Sequence, residues 1–485
     1  MTGGFAVATL DGGSVRLTSA QLRDLEGRIS GDVLCAGDSG WEEAVRIWNG
    51  MVESVPALVV QPASAADVAT LVDFAREHAL RLSVKGGGHN IAGTAVADGG
   101  MMVDLARLRA IAVDPAARLV RVGAGCRLGE VDRATQQHGL ATVLGFISRT
   151  GVGGLTLGGG LGYLTRRFGW TVDNLEEVEI VTADGRIRRA SRDENGDLFW
   201  ALRGGGGNFG VVTRFTFRLH EVGPMVYGGL IAWPFARAEE ILAAYRSLTA
   251  EAPRDLSVWL VLLHAPPAPF VPEEWRGRKI CGMAVCYTGD PGRAAQVVRP
   301  IRALAHPIVD LLREQPYVEV QSYLDDTEPA GMHYYWKTEY ATELGDELLL
   351  SLRERFAACT IPGADLGILH LDGALGEHAG DDGAVGNRDV RYVIGIKGMW
   401  EPGEPDADGC RAWIQDAWQA VRPFTLGRTY INFQTGDEGE NRVRATYGAN
   451  YDRLVAAKAR FDPGNLFRSN RNIRPAAQTA GAPAG

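Results

Sequence analysis

The chain contains 485 residues, of which 50 are lysine or arginine and 59 are aspartate or glutamate, so its formal net charge is −9 at pH 7. This length can hold two or three domains with large cores. The charges are spread without basic clusters, which argues against a nucleic acid partner or an anionic membrane surface. No apolar run is long enough to cross a membrane.

Cysteine and histidine are the residue types that would indicate a metal or redox centre. The six cysteines are scattered, and neither they nor the nine histidines show the spacing of a metal site. Residues 1–11 lack the basic stretch and apolar core of a secretory signal. We therefore expect a cytoplasmic protein without a metal, whose thiols are reduced and buried.

The first glycine-rich loop, V-K-G-G-G-H-N-I-A-G at residues 84–93, follows a predicted β-α-β unit. Three consecutive glycines allow a ligand to lie against the backbone, and N–H groups turned inward form a nest for phosphate oxygens. His89 adds a side chain that can act as a nucleophile. Taken alone, the loop is explained equally well as a flexible turn with an exposed histidine.

Two further glycine loops follow along the chain. Residues 150–162, T-G-V-G-G-L-T-L-G-G-G-L-G, hold seven glycines in thirteen positions. Each glycine costs about 1 kcal/mol relative to alanine in regular structure, so we expect neither helix nor strand but a loop shaped to a ligand. Residues 203–212, R-G-G-G-G-N-F-G-V-V, lie between a predicted helix and a predicted strand. Three such loops argue against a coincidence of flexible turns.

A Rossmann domain is the alternative among nucleotide-binding folds. At residues 123–129 the third glycine of G-x-G-x-x-G falls one position late, and no acidic residue ends the next strand at the required distance. The third loop has the right spacing but leads into a strand rather than a helix. Neither match therefore has the context that this fold requires.

Beyond Glu221 the glycine loops end and large aromatic residues become frequent, which indicates a second domain. We predict a first domain at residues 1–223 with its core at 50–223, and a second domain at 224–428. A C-terminal segment at 429–476 completes the fold, and a tail at 477–485 is predicted to be disordered.

Four motifs occur in order along nearly the whole chain: G-G-G-H-N, G-V-G-G-L-T-L-G-G-G-L-G, D-L-F-W-A-L-R-G-G-G-G-N-F-G-V-V-T, and Y-I-N-F followed by F-D-P-G-N-L-F. Together they resemble the berberine bridge enzyme-like branch of the vanillyl-alcohol oxidase and p-cresol methylhydroxylase flavoproteins, in particular its bacterial 6-hydroxy-D-nicotine oxidase type. The resemblance implies an α+β, two-domain flavoprotein. An FAD-binding domain of the p-cresol methylhydroxylase type is joined to a substrate domain in which helices back an antiparallel sheet.

The resemblance also implies how FAD is held. The first two loops would cradle the pyrophosphate, the third would seat the cofactor, and His89 would bond to the flavin 8α-methyl carbon. Members with a second covalent link carry Gly-x-Cys where this chain has Gly145-Phe146-Ile147, so we expect a single link, for which Cys126 does not substitute. The residues expected to contact FAD are His89, Lys85, Gly86, Gly87, Gly88, Asn90, Thr150, Gly151, Gly153, Gly154, Gly159, Val212, Asn432 and Asn470.

Flavin oxidation needs a C–H bond held over the ring and a base for the proton of a neighbouring O–H or N–H. Tyr430 and Asn432 match a family motif that we expect on a strand reaching the flavin. Tyr430 is the leading candidate for the base or for a group that orients the substrate. A core tyrosine is the alternative. Residues 333–340, H-Y-Y-W-K-T-E-Y, predict a strand with Tyr335 and Lys337 on one face. These two are further catalytic candidates, although the motif also serves as scaffolding in the family.

The leading functional hypothesis is an FAD-dependent oxidase that uses O₂ and produces H₂O₂. Its substrate would be a small or medium natural-product-like alcohol, amine or phenol. A dehydrogenase with another electron acceptor has the same fold, and Thr150, at the family position that gates oxygen access, is small enough to admit oxygen. A non-catalytic flavin-binding protein is the third hypothesis, against which the Y-I-N motif argues.

Overall fold

The computed structural model describes residues 4–476, so the predicted disorder of 477–485 lies outside the described residues. Within that range, none of the helices has the length and apolar character needed to cross a membrane. The described strands are β1 (Phe5–Ala8), β2 (Ser14–Leu17), β3 (Asp32–Leu34), β4 (Leu58–Gln61), β5 (Leu82–Lys85), β6 (Met101–Asp104), β7 (Ile111–Asp114), β8 (Leu119–Gly123), β9 (Leu140–Ala141), β10 (Leu175–Val181), β11 (Ile187–Ser191), β12 (Val211–Arg218), β13 (His220–Glu221), β14 (Met225–Pro234), β15 (Leu256–His264), β16 (Lys279–Tyr287), β17 (Val309–Asp310), β18 (Arg313–Pro316), β19 (His333–Ala341), β20 (Ala364–His370) and β21 (Tyr392–Trp400).

The described helices are α1 (Ser19–Arg28), α2 (Trp41–Val45), α3 (Ala65–Glu77), α4 (Leu128–Gln136), α5 (Val152–Leu157), α6 (Thr165–Phe168), α7 (Gly196–Leu202), α8 (Ala238–Glu251), α9 (Ala294–Arg302), α10 (Tyr317–Val320), α11 (Asp346–Ala357), α12 (Ala407–Val421), α13 (Glu440–Tyr447) and α14 (Tyr451–Phe461).

Two sheets form the first half of the molecule. A four-stranded sheet has the order β3-β4-β6-β5, with β6 parallel to both β4 and β5, and a five-stranded sheet has the order β11-β10-β12-β8-β7. Helix α3 connects β4 to β5. Ser64 caps its first turn by accepting a hydrogen bond from the Asp67 N–H, and its apolar face, including Leu71 and Phe74, is buried. Strand β5 follows α3 and pairs with β6. The first glycine loop begins at the carboxyl end of β5.

The second half is built on an eight-stranded sheet. Seven strands have the order β17-β14-β16-β15-β20-β21-β19, and β18 pairs with β14. The core on one face joins apolar side chains of β14, β15, β16, β20 and β21 to helices α8, α11 and α12. The opposite face is turned toward the glycine loops. The change of sheet between β13 and β14 lies beside the predicted boundary at 223, and the domain limits themselves stay predictions.

The C-terminal segment returns to the first half. Tyr447, Leu454 and Phe461 of helices α13 and α14 belong to the same core as α7 and β12. The fully buried Lys458 donates hydrogen bonds to the backbone oxygens of Asn208 and Phe467, at 2.8 and 2.9 Å. These contacts fasten the third glycine loop to the end of the chain.

Two local expectations were wrong. Residues 152–157 form the short helix α5 inside the second glycine loop. This helix packs closely at Gly153, where a Cβ would lie 3.2 Å from the Ala124 oxygen, so the glycine serves close packing rather than a loop. Tyr430 and Asn432 do not lie on a strand. Tyr430 precedes a 3₁₀ turn, Ile431–Phe433, which contains Asn432.

Candidate active site

A cavity of about 1270 Å³ lies between the glycine loops and the open face of the eight-stranded sheet. Small-molecule sites usually measure about 300–1,000 Å³, so this space can hold a dinucleotide together with a second molecule. The first, second and third glycine loops all line it, as do the C-terminal segment and β19. The loops singled out in the sequence thus meet at one place.

The first two loops cross backbone against backbone. A Cβ atom added to Gly87 would lie 2.3 Å from the Gly151 nitrogen, and one added to Gly151 would lie 2.2 Å from the Gly87 nitrogen. Both positions therefore require glycine. Within residues 4–476, the N–H groups of residues 87–90 donate to no protein atom. Free N–H groups in a glycine turn beside a cavity are suited to phosphate oxygens.

The third loop and the C-terminal segment bring further unsatisfied polar atoms to the same cavity. Asn470 donates to the Gly207 oxygen at 3.2 Å and to the Phe467 oxygen, which ties the segment to the loop. Among the described residues, Ser469 Oγ, Asn470 Oδ1 and Arg471 Nε are buried without a partner, and all three residues line the cavity. Buried polar groups are nearly always paired in native proteins, so a polar ligand with several hydrogen-bonding groups fits here. The residues present match the needs of FAD.

His89 stands at the lip of the first loop. Its ring packs against Trp48, whose backbone N–H donates to the Gly88 oxygen at 3.0 Å. Burial lowers the pKa of His89 to about 4, with Glu328 acting in the opposite direction. The imidazole is therefore neutral at physiological pH and has a free lone pair, as a nucleophile requires.

Tyr430 lines the cavity with its phenol group almost fully buried. Its oxygen accepts hydrogen bonds from the Gly160 N–H at 2.9 Å and from Asn432 Nδ2 at 2.8 Å. Burial raises the pKa of Tyr430, whereas these two donors act to lower it. Because both lone pairs face donors, the hydroxyl proton is free to point into the cavity, and charge developing on the oxygen is stabilised.

Tyr335 and Lys337 do not line the cavity, so the structure does not bring these two predicted catalytic residues to the site. On β19 the alternate residues Trp336 and Thr338 face the cavity, and Tyr335 and Lys337 face the helices. Lys337 Nζ donates to Thr435 and Asp437, at 2.8 and 2.7 Å, and Tyr335 donates to the same Asp437 carboxylate. The alternation of side chains along a strand predicts that Tyr335 and Lys337 share one face of β19, but it does not indicate which face of the strand borders the cavity.

Lys85 and Gly159 are also missing from the cavity lining, so the structure does not bring these two predicted cofactor-binding residues to the cavity. Lys85 Nζ donates to the Ala44 oxygen at 2.6 Å and lies 3.4 Å from Asp104. Gly159 has φ +115°, and a Cβ there would lie 2.8 Å from Val385, so this glycine serves the packing around Tyr430. The other predicted residues line the cavity: Gly86, Gly87, Gly88, His89, Asn90, Thr150, Gly151, Gly153, Gly154, Val212, Tyr430, Asn432 and Asn470.

A charged cluster that the sequence reasoning missed lies on the sheet side of the cavity. Lys397 of β21 contacts Glu328 at 2.9 Å and Asp365 of β20 at 3.0 Å. Burial alone would lower the pKa of Lys397, but the two carboxylates reverse this and hold it above its usual range. Burial raises the pKa of Asp365, against the effect of Lys397. The available signal was a lysine in an otherwise apolar strand, I-G-I-K-G-M.

Family models match two parts of the chain: an FAD binding domain at residues 56–191 and a berberine and berberine-like region at residues 429–474. An FAD-linked oxidoreductase of Dictyostelium discoideum is 31% identical over 453 residues, which cover 92% of this chain and 95% of the relative.

Solved structures agree with these matches. The structure of 6-hydroxy-D-nicotine oxidase from Arthrobacter nicotinovorans has a TM-score of 0.81 and 26% identity, covering 92% of this chain and 98% of that one. Glucooligosaccharide oxidase from Acremonium strictum, described with a 6-S-cysteinyl, 8α-N1-histidyl FAD, has a TM-score of 0.82 at 23% identity, covering 93% and 99%. The latter shows a shared fold.

The FAD-binding model covers the first two glycine loops and the berberine-like model covers the Tyr430 segment, and the structure brings these parts to one cavity. The architecture is the two-domain flavoprotein fold with an FAD-binding domain of the p-cresol methylhydroxylase type. The predicted family, cofactor and enzymatic nature are confirmed. This chain belongs to the berberine bridge enzyme-like family and is an FAD-linked oxidoreductase.

Proposed function

We propose that this enzyme is an oxidase that removes hydride from a C–H bond next to an O–H or N–H group and passes the electrons to O₂. The observation that supports this most is Tyr430, whose oxygen accepts two hydrogen bonds on the wall of the cavity that His89 also lines. The substrate is a small or medium organic molecule such as a natural-product alcohol, amine or phenol. Bound FAD supplies the hydride acceptor, and its reoxidation by O₂ yields H₂O₂.

Tyr430 acts as the base in this proposal. The step requires Tyr430 as the phenolate, its own proton having left to solvent; the donors Gly160 N–H and Asn432 Nδ2 stabilise that form. The phenolate then takes the proton that the substrate O–H or N–H loses as the hydride leaves its C–H bond, and Tyr430 returns to the phenol. Asn432 is itself held by its bond to the Leu155 oxygen at 3.0 Å. The base is therefore anchored to the second glycine loop and cannot turn away.

His89 holds FAD through a single covalent bond. A neutral, buried imidazole at the edge of the cavity is suited to this bond, and the glucooligosaccharide oxidase with a histidyl FAD has the same fold. A second bond through cysteine lacks a partner, because Ile147 stands at the corresponding position and lines the cavity. Cys126 is buried away from the cavity, its Sγ 3.9 Å from the Ala110 oxygen.

Acid precipitation followed by a flavin spectrum of pellet and supernatant tests the covalent bond. We expect flavin in the pellet of the wild-type protein, none in the pellet of His89→Ala, and an unchanged pellet for Cys126→Ser. Flavin retained in the His89→Ala pellet would remove the assignment, and a cysteinyl flavin peptide in mass mapping would refute the single link.

Reoxidation distinguishes the oxidase from a dehydrogenase of the same fold. Photoreduced holoenzyme exposed to air should recover its oxidised spectrum rapidly with release of H₂O₂, and Thr150 leaves room for oxygen. Slow recovery would favour the dehydrogenase. A panel of alcohols and amines that never bleaches the flavin anaerobically would favour a non-catalytic flavin protein.

A further inference from the structure

A row of mostly small residues crosses the cavity-facing side of the eight-stranded sheet. Direct cross-strand partners connect, in order, Ala232, Gly282, Val261, Gly367, Gly395 and Thr338, on strands β14, β16, β15, β20, β21 and β19. All six residues of this row line the cavity, and the row ends at Thr338 on the cavity wall. Neighbouring strands lie about 4.8 Å apart, so this row, which we name the glycine groove, is about 24 Å long.

The glycines of the groove are not required by their neighbours. A Cβ on Gly395 would meet no atom within 4 Å, and Cβ atoms on Gly282 and Gly367 would make only ordinary contacts, at 3.5 and 3.7 Å. None of the three has the positive φ that favours glycine. Because glycine weakens a strand interior, three in one row indicate that another molecule approaches the sheet there.

The walls of the groove are mainly apolar. Along one side of the groove, the cavity is lined by Leu230, Trp259 and Leu369. Along the other side it is lined by Leu263 and Ile280 and then, on β20 and β21, by Asp365 and Lys397. Trp259 is only 3% exposed, and its indole Nε1 has no acceptor in the described part of the chain. An unpaired buried donor on the wall of a cavity indicates an acceptor on the ligand.

One end of the groove reaches the redox site. Trp336 lies beside Thr338 on the same face of β19. The centroid of its ring is 5.5 Å from that of Phe433 and 5.6 Å from that of Trp48. Phe433 in turn lies 4.9 Å from Tyr430. A molecule lying in the groove therefore places its β19 end between the proposed base and the residues around His89.

We infer that the glycine groove binds the apolar body of the substrate, an extended hydrocarbon or fused-ring skeleton with an oxygen acceptor opposite Trp259. The oxidised carbon lies at the β19 end. This inference rests on the proposed function and narrows its substrate class. An oligosaccharide is disfavoured because its hydroxyl groups would face Leu230, Val261, Leu263 and Leu369 without partners. An anionic tail is disfavoured because Glu328 and Asp365 already neutralise Lys397.

Isothermal titration calorimetry of straight-chain 1-alkanols binding to the purified holoenzyme tests the inference. If the groove binds the chain, affinity should depend on chain length. Each added methylene should tighten binding about fourfold until the groove is filled. Gly395→Leu should stop this gain at a short chain, because Gly395 is one strand from Thr338. Gly282→Leu should stop it at a longer chain, since Gly282 lies three strands, about 14 Å, farther along.

Gly464→Leu is the matched control, because Gly464 lies in an exposed loop where a Cβ would meet no atom within 4 Å, and it should keep the wild-type length limit. Flavin content and thermal unfolding verify that each variant is folded. If Gly395→Leu does not fold, a shorter maximum chain length in Gly282→Leu than in the wild type is enough to support the inference. Equal limits in both groove variants, no dependence on chain length, or tighter binding of cello-oligosaccharides than of alkanols would overturn the inference. Binding heat needs no turnover, so a failed oxidase assay and a failed groove remain distinguishable.

Discussion

The indole of Trp48 lies almost parallel to the imidazole of His89, with ring centroids 4.5 Å apart and 15° between the planes. Tyr334 covers the other face of Trp48, at 3.9 Å. Trp48 Nε1 donates to the Glu328 backbone oxygen at 3.0 Å, and the Glu328 carboxylate contacts Lys397. One residue, Glu328, thus connects the ring stacked on His89 to the charged cluster on the sheet side of the cavity.

Trp48→Leu should slow covalent flavin attachment, because the imidazole loses the flat surface that orients it and gains contact with water. A misplaced reacting group costs on the order of 100-fold, and we expect a fall of about ten- to a hundredfold in the rate. The measurement is the fraction of flavin in the acid pellet at fixed times of expression. Trp48→Phe should retain most of the attachment, and Trp413→Leu on α12 is the control. An unchanged pellet in Trp48→Leu would contradict the stacking role.

Tyr430→Phe should lower kcat/KM by about 10²- to 10⁴-fold, the usual contribution of a positioned base. The phenylalanine ring preserves the packing against Trp170 and Phe433, so flavin should stay bound. The rate of anaerobic flavin bleaching by the best substrate from the alcohol and amine panel measures the effect. Tyr335→Phe, outside the cavity, should change this rate by less than about twofold. Comparable losses in both variants would count against Tyr430 as the base.

Lys337→Met should destabilise the protein without abolishing catalysis. Its ammonium is buried between Asp437 and Glu438, and breaking such a pair by removing one partner costs about 3 kcal/mol. Chemical denaturation should show this loss in the free energy of unfolding, while the bleaching rate per folded, flavin-containing molecule stays near wild type. A stable variant with no activity would instead return Lys337 to the catalytic candidates.

Stability should depend on pH through His220. Burial, followed by the nearby guanidinium groups of Arg218, Arg167 and Arg118, lowers the pKa of His220 to about 4. The unfolded chain binds this proton near pH 6.5, so its contribution to stability is complete above about pH 6.5 and is lost as the pH falls toward 4. As the pH falls through this window, the free energy of unfolding of His220→Gln should decrease less steeply than that of the wild-type protein. Parallel curves would show that other groups dominate.

Local sequence signals identified the glycine loops that line the cavity, because the residues of each loop are consecutive in the chain. The loop at residues 84–93 carries its glycines and His89 together, and its composition alone indicates close approach to a ligand. The error at residues 152–157 came from taking a high glycine content to exclude a helix. Within this helix, Gly154 lines the cavity, and a Cβ added there would meet no atom within 4 Å.

The sheet side of the cavity could not be predicted in the same way, because it is formed by the register between strands that are distant in the sequence. Gly282, Gly367 and Gly395 look unrelated in the sequence, and only the pairing of β16, β15, β20 and β21 puts them in one row. For the same reason, the sequence pattern assigned Lys337 to the site and did not identify Lys397. Both lysines lie in apolar strands, and which face of the sheet is covered by helices depends on packing far along the chain.

The fastening of the third glycine loop to the end of the chain has a consequence for biosynthesis. Asn208 Nδ2 donates to the Arg471 oxygen, and its Oδ1 accepts a hydrogen bond from the Ile473 N–H at 2.9 Å. Nascent chains that still lack residues 470–473 have the crossing of Gly87 and Gly151 but an open side to the flavin cavity. Cofactor capture therefore requires residues 470–473 to have docked on the third loop, and a chain truncated before residue 470 should accumulate as colourless protein even where its first sheets have folded.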